Sequence, residues 1–470
     1  MRLSQRIKRR CKPIIKSVLV QITAICQKAL NRIHTDEPSP ALVYAPVCNA
    51  NFALLRSTLV DISAKSGCNI EYYLTKDTTC CFCNRRITKS GRGGSKNILF
   101  ITHELSLTGA PIVIFDAVKA VLGEGYRAVL ASPFDGPLRE EYQKLDVPVI
   151  IDKRLAWGRF DDVDTDLDLV WGDNKFFKQI DCIFMSTFLC HSLLATLTKT
   201  NIPIFWWLHE GSYTYDYAKT VGDKVSKTVP SNVHVYSGGG GHASEALQKY
   251  GYFYNDTVLL YGVEDIQTRS IAEHNDPKIR FIVVGTIHER KAQDLVLKAL
   301  DRMDKELLEK ITITFIGECL PSYTAFTDNI NRQSALYKNI KVLPPMPRDA
   351  LYKLYQEADC LICPSRDDPM PVVVTEMLAL SKPVICSTNV GQSRYIQDGV
   401  NGYVFENDDA DGLLAKIKYV VTDPSQSRTV GKKGRLLYEK YFTMDIFRKN
   451  LLREINNVIQ SHSDKKGTLC

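Results

Sequence analysis

The chain alternates short apolar runs with amphipathic helical stretches, and does so in two separate series, which constrains the fold more than any other feature. The first series holds "NILFIT" (97–102), "RAVLAS" (127–132), "VPVIID" (147–152), "CIFMST" (182–187), "IPIFWWLHE" (202–210) and "NVHVYS" (232–237), with helical patterns such as "APIVIFDAVKAVLGEGY" and "PLREEYQKL" between them. The second holds "IRFIVVGTI" (279–287), "ITITFIGE" (311–318), "NIKVLPPM" (339–346), "DCLICPS" (359–365), "KPVICST" (382–388) and "GYVFEN" (402–407), interleaved with "QDLVLKAL" and "DALYKLYQEA". Strand, helix, strand is the pattern of a parallel sheet with crossover helices. Two such series predict two Rossmann-like, doubly wound α/β domains facing a central cleft.

The boundaries follow from this rhythm. Residues 1–95 read as a basic, amphipathic extension and an irregular mixed segment ending in the linker "KSGRGGSK". Residues 96–262 form the first domain and 263–425 the second, joined near "LLYGVED". Residues 426–470 form a helical tail that packs back on the first domain.

Charge is concentrated at one end. The net charge is +7, yet nine basic residues precede the first acid, Asp36, so the remainder is about −2. The stretch "PIIKSVLVQITAIC" after the basic run is interrupted by Lys16 and Gln21 and falls short of the ~20 apolar residues of a membrane span. It reads as a basic helix suited to an anionic membrane surface through residues 1–34, with a solvated arm as the bland alternative. The expected location is the cytoplasm, peripheral to its membrane face. Fourteen cysteines without a secretory signal fit reduced thiols, and Cys80, Cys81 and Cys83 lack the CxxC spacing of structural zinc sites. Neither series opens on GxGxxG, which disfavours a dehydrogenase, and basicity confined to the N-terminus gives no footprint for nucleic acid.

Ligands of open parallel sheets sit beyond the carboxyl ends of the strands, so residues directly after each run are the candidates. Gly109 in "THELSLTGAP" lets a ligand approach the backbone and precedes a helix whose amides suit an anion. His209 ends an apolar strand, where it could meet a substrate hydroxyl or instead be satisfied by the core. Arg290 and Lys291 lie between a strand and a helix, suited to a diphosphate or to plain surface charge. In "DDPMPVVVTE", Pro369 and Pro371 delay a helix and expose amides, while Glu376 falls at or near the start of the helix "TEMLAL".

With these residues the chain resembles the retaining glycosyltransferases of family 4, the glycosyl transferases of group 1, whose fold is GT-B. The family's acid, seven residues and glutamate stand here as Asp368 through Glu376, supported by "VGTIHERKAQDLVLKAL", "LYKLYQEADCLICPS", "KPVICSTNVGQSRYIQDGVNGYVF" and "HELSLTGAP". The resemblance implies that Arg290 and Lys291 neutralise the leaving diphosphate, that Asp368 orients the sugar and that His209 contacts it near its reacting face. Gly109, Gly285, Met370, Pro371 and Val372 then line the donor, Glu376 holds the ribose and Met346 touches the base. It further implies a nucleotide-sugar donor such as a UDP- or GDP-sugar, a glycan, lipid-linked or protein acceptor, transfer with retention, and no obligatory metal.

Four positions depart from the family pattern. Asp368 stands where glutamate is usual, Thr286 where arginine is frequent, and Ala292 and Ser381 where glycine is common. Two other readings share the architecture: a noncatalytic two-domain protein clasping a small ligand, and a GT-B-like nucleotide-sugar epimerase.

Overall fold

The computed structural model describes residues 78–81, 96–107, 109–152, 155, 177–212, 229–239, 245, 248, 256–266 and 277–467. The N-terminal basic segment 1–34, Cys83 and the linker 89–95 lie outside these residues.

The first sheet has eight strands: β1 (Thr78–Cys81), β2 (Asn97–Ile101), β3 (Arg127–Ser132), β4 (Val149–Asp152), β5 (Cys182–Ser186), β6 (Ile204–Leu208), β7 (Val233–Ser237) and β8 (Asp256–Val258), in the order β1-β4-β3-β2-β5-β6-β7-β8. β2 pairs in parallel with both β3 and β5, and helices α1 (Gly109–Gly123) and α2 (Leu138–Lys144) make the crossovers after β2 and β3. Every residue of β2, β5 and β6 is buried, as expected for strands covered on both faces. Two elements were not expected. β8 is only three residues long, and β1 arises inside a segment read as irregular, pairing antiparallel with β4 from Thr78↔Asp152 to Cys81↔Val149. An edge strand needs only a backbone ladder on one side, so it carries no long apolar run.

The second sheet has six strands, β9 (Ile279–Val284), β10 (Ile311–Ile316), β11 (Ile340–Leu343), β12 (Cys360–Cys363), β13 (Val384–Ser387) and β14 (Tyr403–Phe405), in the order β11-β10-β9-β12-β13-β14. All five pairings are parallel. Its helices of eight residues or more are α3 (Gln293–Leu300), α4 (Thr324–Ser334), α5 (Arg348–Glu357), α6 (Val372–Ala379), α7 (Ala410–Thr422) and α8 (Pro424–Tyr441), followed by α9 (Met444–Gly467). On α3 the side chains of Leu295, Val296, Leu297 and Leu300 are at most 1% exposed, and each contributes roughly 1.5–3 kcal/mol by leaving water. The chain starts at β9, moves outward to β10 and β11, then returns to β12 on the other flank of β9. Loops following β9 and β12 therefore diverge at a topological switch point, the place where open sheets bind ligands.

By compactness the chain divides into one unit of residues 1–207, 229–234 and 452–470 and another of 208–228 and 235–451. Sheet composition places the boundary between Val258 and Ile279, and the division expected at 425/426 falls inside α8. The C-terminal part of α9 joins the first unit, where Asn456 accepts hydrogen bonds from Tyr126 Oη (2.6 Å) and Lys96 Nζ (3.4 Å). Among the described residues no helix is long and apolar enough to cross a membrane.

Candidate functional site

The loop after β9 is built to project Lys291. Gly285 ends the strand at φ +148°, a conformation that glycine adopts without strain. His288 caps the short turn Glu289–Lys291, its Nδ1 accepting the Arg290 N–H at 2.8 Å, which makes Nδ1 the unprotonated nitrogen. Burial lowers the His288 pKa, and the cations Arg290 and Lys291 lower it further. Ala292 then turns the chain into α3 from the left-handed region, at φ +54°. A Cβ placed on Gly285 would lie 3.5 Å from Lys291 Cδ, so the lysine stem lies along the strand end.

The loop after β12 meets this turn. Lys291 Nζ donates to Asp368 Oδ2, Arg290 Nη1 stands 3.8 Å from Asp368 Oδ1, and Ser365 Oγ donates to Asp368 Oδ2 at 3.4 Å. Asp368 is 6% exposed. Its burial pushes the carboxyl pKa up, but Lys291 and Arg290 together overcome that and hold it below the usual carboxylate range. The Arg290 guanidinium also donates to the Asp367 carbonyl at 2.7 Å, so it is anchored to the backbone of the acidic turn.

Arg366 fastens the two loops to each other. It makes a bidentate pair with Asp294, 2.9 Å to each oxygen, reaches the Glu289 carbonyl at 2.7 Å and Asp408 Oδ1 at 2.9 Å, and its own N–H donates to the Arg290 carbonyl. Planar guanidinium forks suit this kind of two-point clamp. Behind the turn, Asp368 bridges Val390, the Gly391 N–H donates to the Asp368 carbonyl at 2.9 Å, and Gln392 Nε2 reaches the Pro371 carbonyl at 2.9 Å. A Cβ on Gly391 would collide with the Pro369 carbonyl, so that approach requires glycine.

Pro371 is the N-cap of α6, and the helix begins at Val372. This corrects the expectation for Glu376, which lies in the second turn instead of at the helix start. The valine run enters a helix because tertiary burial overrides its weak helical preference. In the first turn of α6 the Val374 N–H donates to the Pro371 carbonyl at 3.1 Å, whereas the amides of Val372 and Val373 precede the first intrahelical bond and lie just past Asp368. Glu376 is 4% exposed and faces a second basic group: Arg348 Nη2 donates to its Oε1 at 2.6 Å and Tyr352 Oη at 3.2 Å. Burial raises its pKa, opposed by Arg348, Tyr355 and Tyr352. The same burial, with Glu376 nearby, lifts the Tyr352 hydroxyl to about 12. Two buried acids eight residues apart are thus pushed in opposite directions, Asp368 toward the anion and Glu376 toward the proton, which separates their chemical roles.

The structure therefore gathers Gly285, Arg290, Lys291 and Asp368 into one cluster at the switch point, with half-buried Met370 and Val372 and buried Pro371 on the adjoining turn. Met346 is half-buried in the loop between β11 and α5, two residues before Arg348. Gly109 and His209 stand at the carboxyl side of the first sheet: Gly109 is the exposed first residue of α1, and His209 follows β6 with its N–H donating to Glu210 Oε2 at 3.0 Å. Among the described residues a Cβ on Gly109 would meet nothing within 4 Å. Sequence reasoning passed over His288, Arg348, Tyr352 and Arg366. His288 and Tyr352 lie inside the motifs given above and Arg366 falls between two of them, but the acids that Arg348, Tyr352 and Arg366 meet are 24 to 72 residues away in the chain. Among the described residues no group of acids, histidines and cysteines could hold a metal ion.

Comparison with known proteins decides the family. The model for glycosyl transferases group 1 matches residues 265–437, the part that holds this cluster, and the model for glycosyl-transferase family 4 matches 94–239. The chain belongs to the family 4 glycosyltransferases. It is similar to a D-inositol 3-phosphate glycosyltransferase of Mycolicibacterium gilvum, 28% identical over 155 residues, covering 32% of this chain and 34% of that protein. The match thus spans about a third of the length of that relative. An uncharacterised glycosyltransferase of Methanocaldococcus jannaschii is 27% identical over 258 residues, 52% of this chain and 65% of its own length. Among solved structures, an Anabaena protein crystallised with UDP and glucose superposes with a TM-score of 0.62 at 15% identity, covering 77% of this chain and all of that one. The fold of this family 4 member is the GT-B pair of parallel-sheet α/β domains.

Proposed function

We propose that the protein is a retaining glycosyltransferase that moves a hexose-type sugar from a nucleotide-diphosphate sugar to the hydroxyl of a glycan, glycolipid or protein acceptor. The observation that carries this reading is the Lys291, Arg290 and Asp368 cluster beside the first-turn amides of α6. A diphosphate leaves readily once its charge is neutralised, and fixed cations with fixed amides supply that without reorganising. Arg290 and Lys291 meet the diphosphate, with the Gly285 backbone and the amides of Met370 and Val372 beside it. Asp368, ionised between its cations, accepts hydrogen bonds from hydroxyls of the transferred sugar. Glu376 holds the ribose, with Arg348 and Tyr352 fixing its carboxylate, and Met346 lies toward the base. His209 contacts the sugar near its reacting face and Gly109 lines the diphosphate and acceptor side. Because the cluster supplies positive charge, the reaction proceeds without an obligatory metal. Retention follows from attack on the face the diphosphate leaves, with no protein nucleophile.

The donor is a UDP- or GDP-sugar, and the neighbouring fold with UDP and glucose supports a nucleotide sugar. The acceptor is a glycan or a lipid-linked one, as in polysaccharide assembly at the cytoplasmic face of a membrane, which residues 1–34 reach as a peripheral anchor. A thermal-shift screen against UDP-, GDP- and dTDP-sugars tests the donor, since a ligand of the native state raises its melting temperature. No shift with any of them would overturn the reading.

A further inference from the structure

The amino end of the second sheet, opposite to the cluster above, carries a cavity of about 350 Å³. Strand β12 separates the two: Asp359, directly before it, lines the cavity, while Asp368 lies beyond its carboxyl end. Ile279, Pro383 and Val420 give the cavity an apolar wall, and Lys382, Arg428 and Lys432 give it a basic one. Arg428 and Lys432 are four residues apart on α8, hence on one face, an arrangement of like charges that costs stability unless an anion compensates it. Lys382 is half-buried before β13. Burial lowers its pKa, Asp359 opposes that and Arg280 adds to it, and a bound anion would oppose the lowering in the same way as Asp359.

The acid at the rim is shared with another cation. Asp359 Oδ2 accepts the Arg280 N–H at 2.8 Å and lies 3.6 Å from the Arg280 guanidinium nitrogen. Among the described residues no carboxylate lies within ion-pairing distance of Lys382, Arg428 or Lys432, whereas Arg435, farther along the same helix, is paired with Asp265 at 2.6 Å. Ser381, the residue before Lys382, is held in the left-handed region at φ +58°, which fixes the direction in which the lysine leaves the chain.

We propose that this cavity binds a small phosphate ester, its phosphate between Lys382, Arg428 and Lys432 and its organic part against Ile279, Pro383 and Val420. The volume is that of a small-ligand pocket, and mixed apolar and cationic walls select an organic phosphate over a bare ion. The site is independent of the donor site and of the reaction proposed for it.

Titration calorimetry of the full chain with glucose 6-phosphate and with glycerol 3-phosphate tests the assignment. The wild type should show saturable one-to-one binding of at least one ester. The exposed pair Arg428→Gln/Lys432→Gln should keep its circular dichroism spectrum and lose affinity by at least about tenfold, as expected for losing charge-assisted hydrogen bonds. Lys291→Met, altered at the other end of the sheet, should bind as the wild type does. Absence of saturable binding of both esters would sink the proposal, as would an unaffected double variant or loss of binding in Lys291→Met. Inorganic phosphate binding as tightly as the esters would overturn the organic-ester assignment.

Discussion

Arg348 Nη2 stands 2.6 Å from Glu376 Oε1, so the buried acid of α6 is held by a cation on a neighbouring helix, 28 residues earlier in the chain. Tyr352, one turn along from Arg348, reaches the same oxygen at 3.2 Å. Arg348→Ala should leave a buried carboxyl facing only hydroxyls. The side chain of Arg348 is 48% exposed, which screens the pair, so the expected loss is about 1–2 kcal/mol. The sign of its pH dependence follows from Glu376, whose folded pKa lies above its ordinary 4.5. Stability from that group is fully present below about 4.5 and falls as pH rises through the folded pKa. Removing Arg348 raises that pKa further, so the deficit should be small near pH 4.5 and grow toward neutrality. Urea midpoints across this range check it, and Arg348→Lys should rescue only part, lacking the planar fork.

Lys291→Ala and Glu376→Ala should abolish sugar transfer, by about 10²–10³-fold or more, while far-ultraviolet circular dichroism stays that of the wild type. Transfer from a labelled nucleotide sugar measures this. Wild-type rates in either variant would remove the roles assigned to these two residues.

Acid should weaken the second unit through two groups of the Lys291 loop and its partner. His288 has a folded pKa below its ordinary 6.5, so it contributes stability that is complete above about 6.5 and is lost as pH falls through the folded value. Asp368 has a folded pKa below 3.8, so its share is complete above 3.8 and is lost below. Burial lowers His191 and His103 as well, which gives the first unit an acid limb of its own. His288→Asn keeps an oxygen that can cap Arg290 but cannot titrate, so the slope of stability below 6.5 should shrink without vanishing.

Arg366→Ala should lower the turnover number about tenfold or more with little change in the Michaelis constant for the donor, because the contacts of the arginine join the two loops to each other. A one-ångström displacement of Lys291 relative to Asp368 is enough for such a loss. Arg366→Lys should recover little, since four of its contacts depend on the fork.

Ser381→Gly should stabilise the protein by about 0.5–1 kcal/mol, since φ +58° costs a side-chain-bearing residue roughly 1–2 kcal/mol and glycine returns part of that as unfolded-chain entropy. A melting temperature higher by a few degrees checks it. Ala292 occupies the other position where the family resemblance expects glycine, and it too lies in the left-handed region.

Much of this is legible in the sequence itself. Apolar runs of five residues such as "CIFMS" and "IFWWL" announce parallel strands because both their faces are covered, and strand ends locate the Lys291 and Asp368 loops. β1 was not legible, because an edge strand inside a mixed segment needs no apolar run. The start of α6 was misread by a few residues, since β-branched valines argue against a helix and only their burial compels one.

The sequence alone determined two parallel α/β sheets and the short list of charged residues placed after their strands, because hydrophobic periodicity and strand ends are local properties. Only the tertiary structure decided which charges meet. Lys291 and Asp368 are 77 residues apart, and their union depends on β12 pairing beside β9. Likewise Glu376, which looked available for a ligand, is already held by Arg348, because helices α5 and α6 converge in space and no spacing in the chain records that.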